Sequence, residues 1–180
     1  NSKAYEVLTN LSSTKNNIIL DFNYTASTRL ILKQCGLSDE DIDNRLIKVH
    51  GEASNNDIIF GVEDNAGIKK EHVFLRKAYN IKYKALNFSE LYDRIKSVAI
   101  FGHSLGETDH TYFNKLFQES CMYNKFSTNN NKEFWLFYYK ENGYHCMMQQ
   151  LDSLTHNSLT SFRQYNRVNF INTDKEKVFI

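Results

Sequence analysis

Ser97-Val98-Ala99-Ile100-Phe101 runs straight into Gly102-His103-Ser104-Leu105-Gly106-Glu107-Thr108-Asp109, and Tyr112, Phe113, Leu116, Phe117 and Met122 follow at helical spacing. A short apolar run, a Gly-Ser loop and an amphipathic helix capped by Thr108 or Asp109 are the parts of a strand-loop-helix unit, which constrains the chain towards an α/β fold. The loop admits two chemistries. As Gly-x-Ser-x-Gly it spells a nucleophile elbow, with Ser104 as the nucleophile of a serine hydrolase. As a loop at the carboxyl end of a parallel strand it is a place where backbone N–H groups and a hydroxyl hold a nucleotide.

The rest of the chain repeats the alternation. Ile18 to Phe22 reads as a buried strand, followed by a helix over Thr28–Gln34 that Thr25 or Ser27 caps and Gly36 ends. Ser38-Asp39-Glu40 opens a short helix before the strand-like Leu46 to Val49, which ends at His50-Gly51. Asp57 to Gly61 is a further brief apolar run, Glu71 to Ala78 is expected to be helical, and Ser89 caps a helix from Glu90 to Lys96. Phe126 to Lys132 reads as a surface turn, Phe134 to Tyr139 as a strand, Tyr144 to Leu151 as a helix and Val168 to Ile171 as the last strand. Strands separated by helices favour a mostly parallel, three-layer α/β sheet, here expected as a single domain over residues 1–180.

Composition narrows the function classes. With 180 residues, 41% hydrophobic and 24% charged at a formal net charge of +1, the chain has the balance of a globular domain and no overall pull towards nucleic acid. No apolar run approaches the roughly 20 residues that span a bilayer, and no secretory leader is visible, so the expected location is the cytoplasm with no membrane partner. Cys35, Cys121 and Cys146 lack the spacing of a zinc ribbon or a disulfide framework and are expected as reduced core thiols. His103, Asp109 and His110 lack a metal-binding arrangement, so no metal is expected. Lys69, Lys70, Arg76, Lys77, Lys82 and Lys84, interleaved with Tyr79 and Tyr83, read as a solvated helix face.

Ligands of parallel α/β sheets gather beyond the carboxyl ends of strands, and three such junctions are unusually polar. They are Asn23-Tyr24-Thr25, His50-Gly51-Glu52 and Gly102 to Asp109. If the strands were neighbours, one crevice would receive an amide, an imidazole, a hydroxyl and a carboxylate. An imidazole beside ribose hydroxyls is suited to general-base work, and the Asn23 amide can orient a ribose or a water. The elbow reading needs an acid and a histidine downstream, and Asp152 with His156 is cramped for two separate strand-end loops.

Phe22-Asn23-Tyr24-Thr25, Val49-His50-Gly51, Ile58-Ile59-Phe60-Gly61 and Phe101 to Asp109, in that order, resemble the bacteriophage abortive-infection AbiH family over about residues 18 to 117. More distantly they resemble sirtuin-like NAD-binding domains of bacterial defence systems. The resemblance implies a Rossmann-like sheet that binds NAD or a related nucleotide. Asn23 and His50 would sit by the nicotinamide ribose, with His50 the catalytic base for N-glycosidic cleavage, and Gly102, His103 and Ser104 by the adenosine end. Tyr24, Thr25, Gly51 and Asp109 complete the implied ligand-lining set. Relatives of this kind open with a strand and a Gly-rich phosphate loop that has no counterpart before Ile18, so the chain is expected to be the later part of a longer protein. The implied role is defence against phage, with a phage-derived trigger as partner and self-association left open. A non-catalytic nucleotide-sensing or interaction module is the alternative from another class, and the Ser104 hydrolase is a second.

Overall fold

A computed structural model describes residues 3–14, 16–62, 66–80, 94–122 and 131–175, and divides the chain into two compact units whose principal segments are Asn1–Ala85 and Leu86–Val178. The first unit contains α1 (Lys3–Ser12), β1 (Ile19–Asp21), α2 (Ser27–Gln34), α3 (Asp39–Asp43) and β2 (Leu46–Lys48). Ala4, Val7, Leu8 and Leu11 recur at helical spacing along α1, which packs on α2. Leu32, Ile42 and Leu46 form a buried cluster against which Leu8, Ile19 and Leu37 close. Arg45 ties the end of α1 to this cluster. Its Nη2 donates to the carbonyl oxygens of Leu11, in the last turn of α1, at 2.9 Å and of Thr14, just beyond it, at 2.8 Å, and so holds the helix end and the chain that leaves it.

β1 and β2 pair in parallel, with Ile19 opposite Leu46 and Asp21 opposite Lys48. α2 matches the expected helix, yet its N-cap is Ala26, because the Thr25 and Ser27 hydroxyls meet each other at 2.9 Å. Ser38 caps as its sequence predicts, its Oγ accepting from the Asp41 backbone N–H at 3.1 Å. The run from Asp57 to Gly61 joins no ladder. Its backbone turns back on the β2 exit, with the Ile59 N–H donating to the His50 carbonyl at 2.9 Å. In place of the helix expected over Glu71 to Ala78 stand two 3₁₀ segments, Lys70–Leu75 and Lys77–Tyr79. Val62 forms a parallel bridge with Arg76, donating to the Leu75 carbonyl at 2.8 Å and accepting from the Lys77 N–H at 2.9 Å, and this interrupts any helix there. Lys77 is buried, so the basic stretch is not uniformly a solvated face, while Lys82, Tyr83 and Lys84 lie outside the described residues.

The second unit is a parallel sheet in the order β3 (Ser97–Ile100), β4 (Glu133–Tyr138), β5 (Arg167–Asn172), with α4 (His110–Ser120), α5 (Lys140–Leu154) and α6 (Leu159–Tyr165) in the connections. Phe117 on α4, Phe134 on β4 and Phe162 on α6 are fully buried and share ring contacts at 4.8–5.6 Å. The buried Asn166 stitches the same elements together. Its Nδ2 donates to the Ser120 carbonyl at 2.7 Å and the Phe162 carbonyl at 2.8 Å, and its Oδ1 accepts from the Lys132 N–H at 3.3 Å. The Ser89-capped helix and the turn from Phe126 fall mostly outside the described residues. Mixed α/β architecture with short parallel sheets is therefore what the chain adopts.

Candidate functional site

In the first unit both strands deliver their polar loops at the same edge. Asp21, the last residue of β1, is buried, and its Oδ1 accepts from the Asn23 N–H at 2.9 Å and from Asn23 Nδ2 at 3.2 Å. That bond pattern bends the chain sharply after the strand. Across the ladder, the Lys48 ammonium meets Asp21 Oδ2 at 2.9 Å, donates to the carbonyls of Asn23 and Thr25, and lies 3.9 Å from Glu52 Oε2. The Ala53 N–H donates to the Tyr24 carbonyl at 2.8 Å, so the loop after β1 is tied to the loop after β2.

His50 sits between them at 5% exposure. Its ring meets Phe22 edge-on at 5.4 Å and Tyr24 at 6.0 Å, and Tyr24 in turn meets the exposed ring of Phe60 at 5.4 Å. Gly51 makes the turn that aims His50, with φ +74°, and the Glu52 N–H then donates to Asp57 Oδ1 at 2.6 Å. The structure thus brings Asn23, Tyr24, Thr25, His50 and Gly51 to one edge. Asn23 and Thr25 are exposed, whereas His50 and Gly51 are buried.

The Gly102 to Asp109 loop belongs to the second unit. His103 is held at both nitrogens: Nδ1 accepts from the Leu105 N–H at 2.9 Å, and Nε2 faces Asp109 Oδ2 at 3.3 Å. Asp109 precedes α4 but makes no side-chain capping bond, its carboxylate being turned to His103 instead. Leu105 is fully buried with φ +54°, and His110 Nε2 lies 3.0 Å from its carbonyl and 2.8 Å from Gln150 Oε1.

This loop lacks the geometry of a nucleophile elbow. The left-handed residues are Gly102 and Leu105 rather than Ser104, and Ser104 precedes α4 by a further 3₁₀ turn, Glu107–Asp109. His156 meets Gln118 at 3.1 Å and His145 meets Glu141 at 3.8 Å, so each downstream histidine has its partner elsewhere. A cavity of about 220 Å³ opens at the carboxyl ends of β3 and β4, lined by Gly102, His103, Ser104, Tyr139, Cys146 and Met147 among others.

All three cysteines are free thiols, Cys35 and Cys121 half-buried and Cys146 exposed, so none is the core thiol expected. Burial pushes the Cys121 thiol above its ordinary range, and its Sγ donates to the Phe117 carbonyl at 3.2 Å. Among the described residues, no group of three or more His, Cys, Asp or Glu is placed to hold a metal ion, and no helix is long and apolar enough to cross a membrane.

Asp21 and Lys48 had not stood out in the sequence as site residues, and Glu52 only as part of the His50-Gly51-Glu52 junction. A carboxylate and an ammonium at the last positions of two otherwise apolar strands were the available signal, since charged groups are rarely buried unless paired.

Short parallel strands that end in polar loops, with helices between them, define a mixed α/β protein. The chain belongs to the bacteriophage abortive infection AbiH family, whose model matches residues 1–139. No curated protein and no solved structure matches the chain.

Proposed function

We propose that the chain serves phage defence through a nucleotide site of sirtuin-like type on a Rossmann-like sheet, with NAD hydrolysis as the chemistry of the full-length protein and His50 as its base. The observation that carries this reading is the buried imidazole of His50, clamped by Phe22 and Tyr24 at the carboxyl edge of two parallel strands beside the exposed Asn23. The residues fit the ribose end of such a ligand: Tyr24 and Phe60 offer ring faces, and Asn23 offers an amide. In the reaction the C1′–N bond breaks and its electron pair stays on nicotinamide, which leaves neutral. Water adds to C1′ and gives a proton to His50, so that the products are nicotinamide, ADP-ribose and a proton passed on to solvent.

Full-length protein incubated with NAD is expected to release nicotinamide, and His50→Ala to slow release by about 10²- to 10⁴-fold, the usual range for a general base. Release that His50→Ala leaves unchanged would remove His50 from the chemistry. The burial of His50 to 5% also favours a second reading, nucleotide sensing without turnover. That reading gains if NAD raises the melting temperature and no nicotinamide appears.

A further inference from the structure

We propose that Lys48 is the positioning residue of the His50 site, a built-in cation that locks the Asn23 to Thr25 loop in the shape that presents Asn23 and Tyr24 beside His50. The inference rests on reading that loop as the ligand loop. An ammonium carries three N–H donors, and three acceptors stand within hydrogen-bond distance of Lys48 Nζ: Asp21 Oδ2 at 2.9 Å, the Asn23 carbonyl, and the Thr25 carbonyl at 2.7 Å. The two carbonyls bracket Tyr24, so one cation fixes both ends of the segment that carries the exposed ring.

The neighbouring charges account for why a lysine can sit there. Its side chain is 16% exposed, between Asp21 at 3% and Glu52 at 8%. Two buried carboxylates that face the same ammonium, at 2.9 and 3.9 Å, are costly without it. Each carboxylate is also occupied at its other oxygen, Asp21 Oδ1 by Asn23 and Glu52 Oε1 by the Ser54 hydroxyl. The arrangement around Nζ is one of carboxylate and carbonyl oxygens. Lys48 therefore acts on the ligand through the loop it holds, its three N–H donors being matched by three acceptors of the protein.

Chemical rescue in the full-length protein tests this. Lys48→Ala removes the side chain beyond Cβ, which n-propylammonium replaces atom for atom. Tetramethylammonium, charged but without an N–H donor, is the control. In Lys48→Ala the amides of Asn23 and Ala53 are expected to lose about tenfold of their hydrogen-exchange protection while Ile42 keeps its own, and n-propylammonium alone is expected to restore it. The KM for NAD is expected to rise about tenfold with kcat within about threefold of the parent, and to fall again with n-propylammonium. Lys48→Gln, which keeps N–H donors and loses the charge, is the second variant, should Lys48→Ala fail to fold, and is expected to loosen the same amides without response to n-propylammonium.

In Lys48→Ala, unchanged protection at Asn23 and Ala53, or a loss that n-propylammonium does not reverse, overturns the proposal, as does a loss and recovery of protection with KM at the parent value throughout. A parent protein that releases no nicotinamide counts against the NAD reading alone. In that case the exchange measurements decide Lys48.

Discussion

Gly51→Ala is expected to destabilise the first unit by about 4 kcal/mol, a loss large enough to require a specific steric cause. Gly51 has φ +74°, where an L side chain is already strained, and an added Cβ would lie 2.1 Å from the Asp57 carbonyl oxygen and 2.9 Å from its Oδ1. The first of these is a backbone atom and cannot swing aside. Moving it breaks the bond from the Glu52 N–H to Asp57 Oδ1 and draws Ile59 off the His50 carbonyl, so two buried pairs are lost with the strain. Gly36 is the internal control. It too has a positive φ, +89°, but an added Cβ there meets nothing within 4 Å, so Gly36→Ala is expected to cost only about 1 kcal/mol. Urea unfolding followed by circular dichroism, with exchange at the Glu52 and Ile59 amides, compares the two. Equal losses would show that the close approach of Asp57 to Gly51 is not what shapes the turn.

Phe134→Ala is expected to cost the second unit about 3–5 kcal/mol, the range for removing a buried aromatic ring from a core that relaxes only partly. Phe134 is fully buried at the centre of the sheet, in register with Val98 on one side and Val168 on the other. Its ring meets Phe162 at 4.8 Å and Phe117 at 5.6 Å, and those two meet each other at 5.5 Å, so its removal strips a face from both remaining partners. Trp135, the single tryptophan of the chain, follows it on the same strand and reports the unfolding by fluorescence. Phe134→Leu, which fills much of the space, is expected to lose about half as much. A midpoint for Phe134→Ala within experimental error of the parent would mean that the three rings do not form the core.

The elements legible in the sequence are those whose local pattern and tertiary environment agree. β4 and β5 occur within a residue of the expected boundaries: Phe134, Leu136 and Phe137 are buried on the central strand β4, and Val168, Phe170 and Ile171 of the edge strand β5 are half-buried or buried beside it. α1 carried its signal in Ala4, Val7, Leu8 and Leu11, and α6 in Leu159 and Phe162, but both are short and polar elsewhere, which hides the period. The expected helix after Glu71 failed for a nonlocal reason: the bridge of Val62 to Arg76 takes the backbone groups that a helix would have used. Likewise Asp57 to Gly61 looks like a strand on its own residues, yet its backbone is committed to the His50 turn.

The site was legible in part for the same reason. Asn23, Tyr24, Thr25, His50 and Gly51 were recognisable as strand-end residues, and in the structure they share one edge. The polar cluster beneath them was not, because Asp21 and Lys48 become a pair only through the parallel register that sets one opposite the other. Ser104 was open to both chemistries by motif alone. The left-handed backbone of Leu105 and the engagement of both His103 nitrogens decide against the elbow.

The most direct test of the central claim is the imidazole signal of His50 in full-length protein titrated with NAD, assigned by comparison with His50→Gln. The His50 ring signal is expected to shift with NAD concentration, to saturate, and to shift less in a protein carrying Tyr24→Ala. An unmoved His50 signal at NAD concentrations that shift His103 or His110 would place the ligand elsewhere and remove His50 from the site.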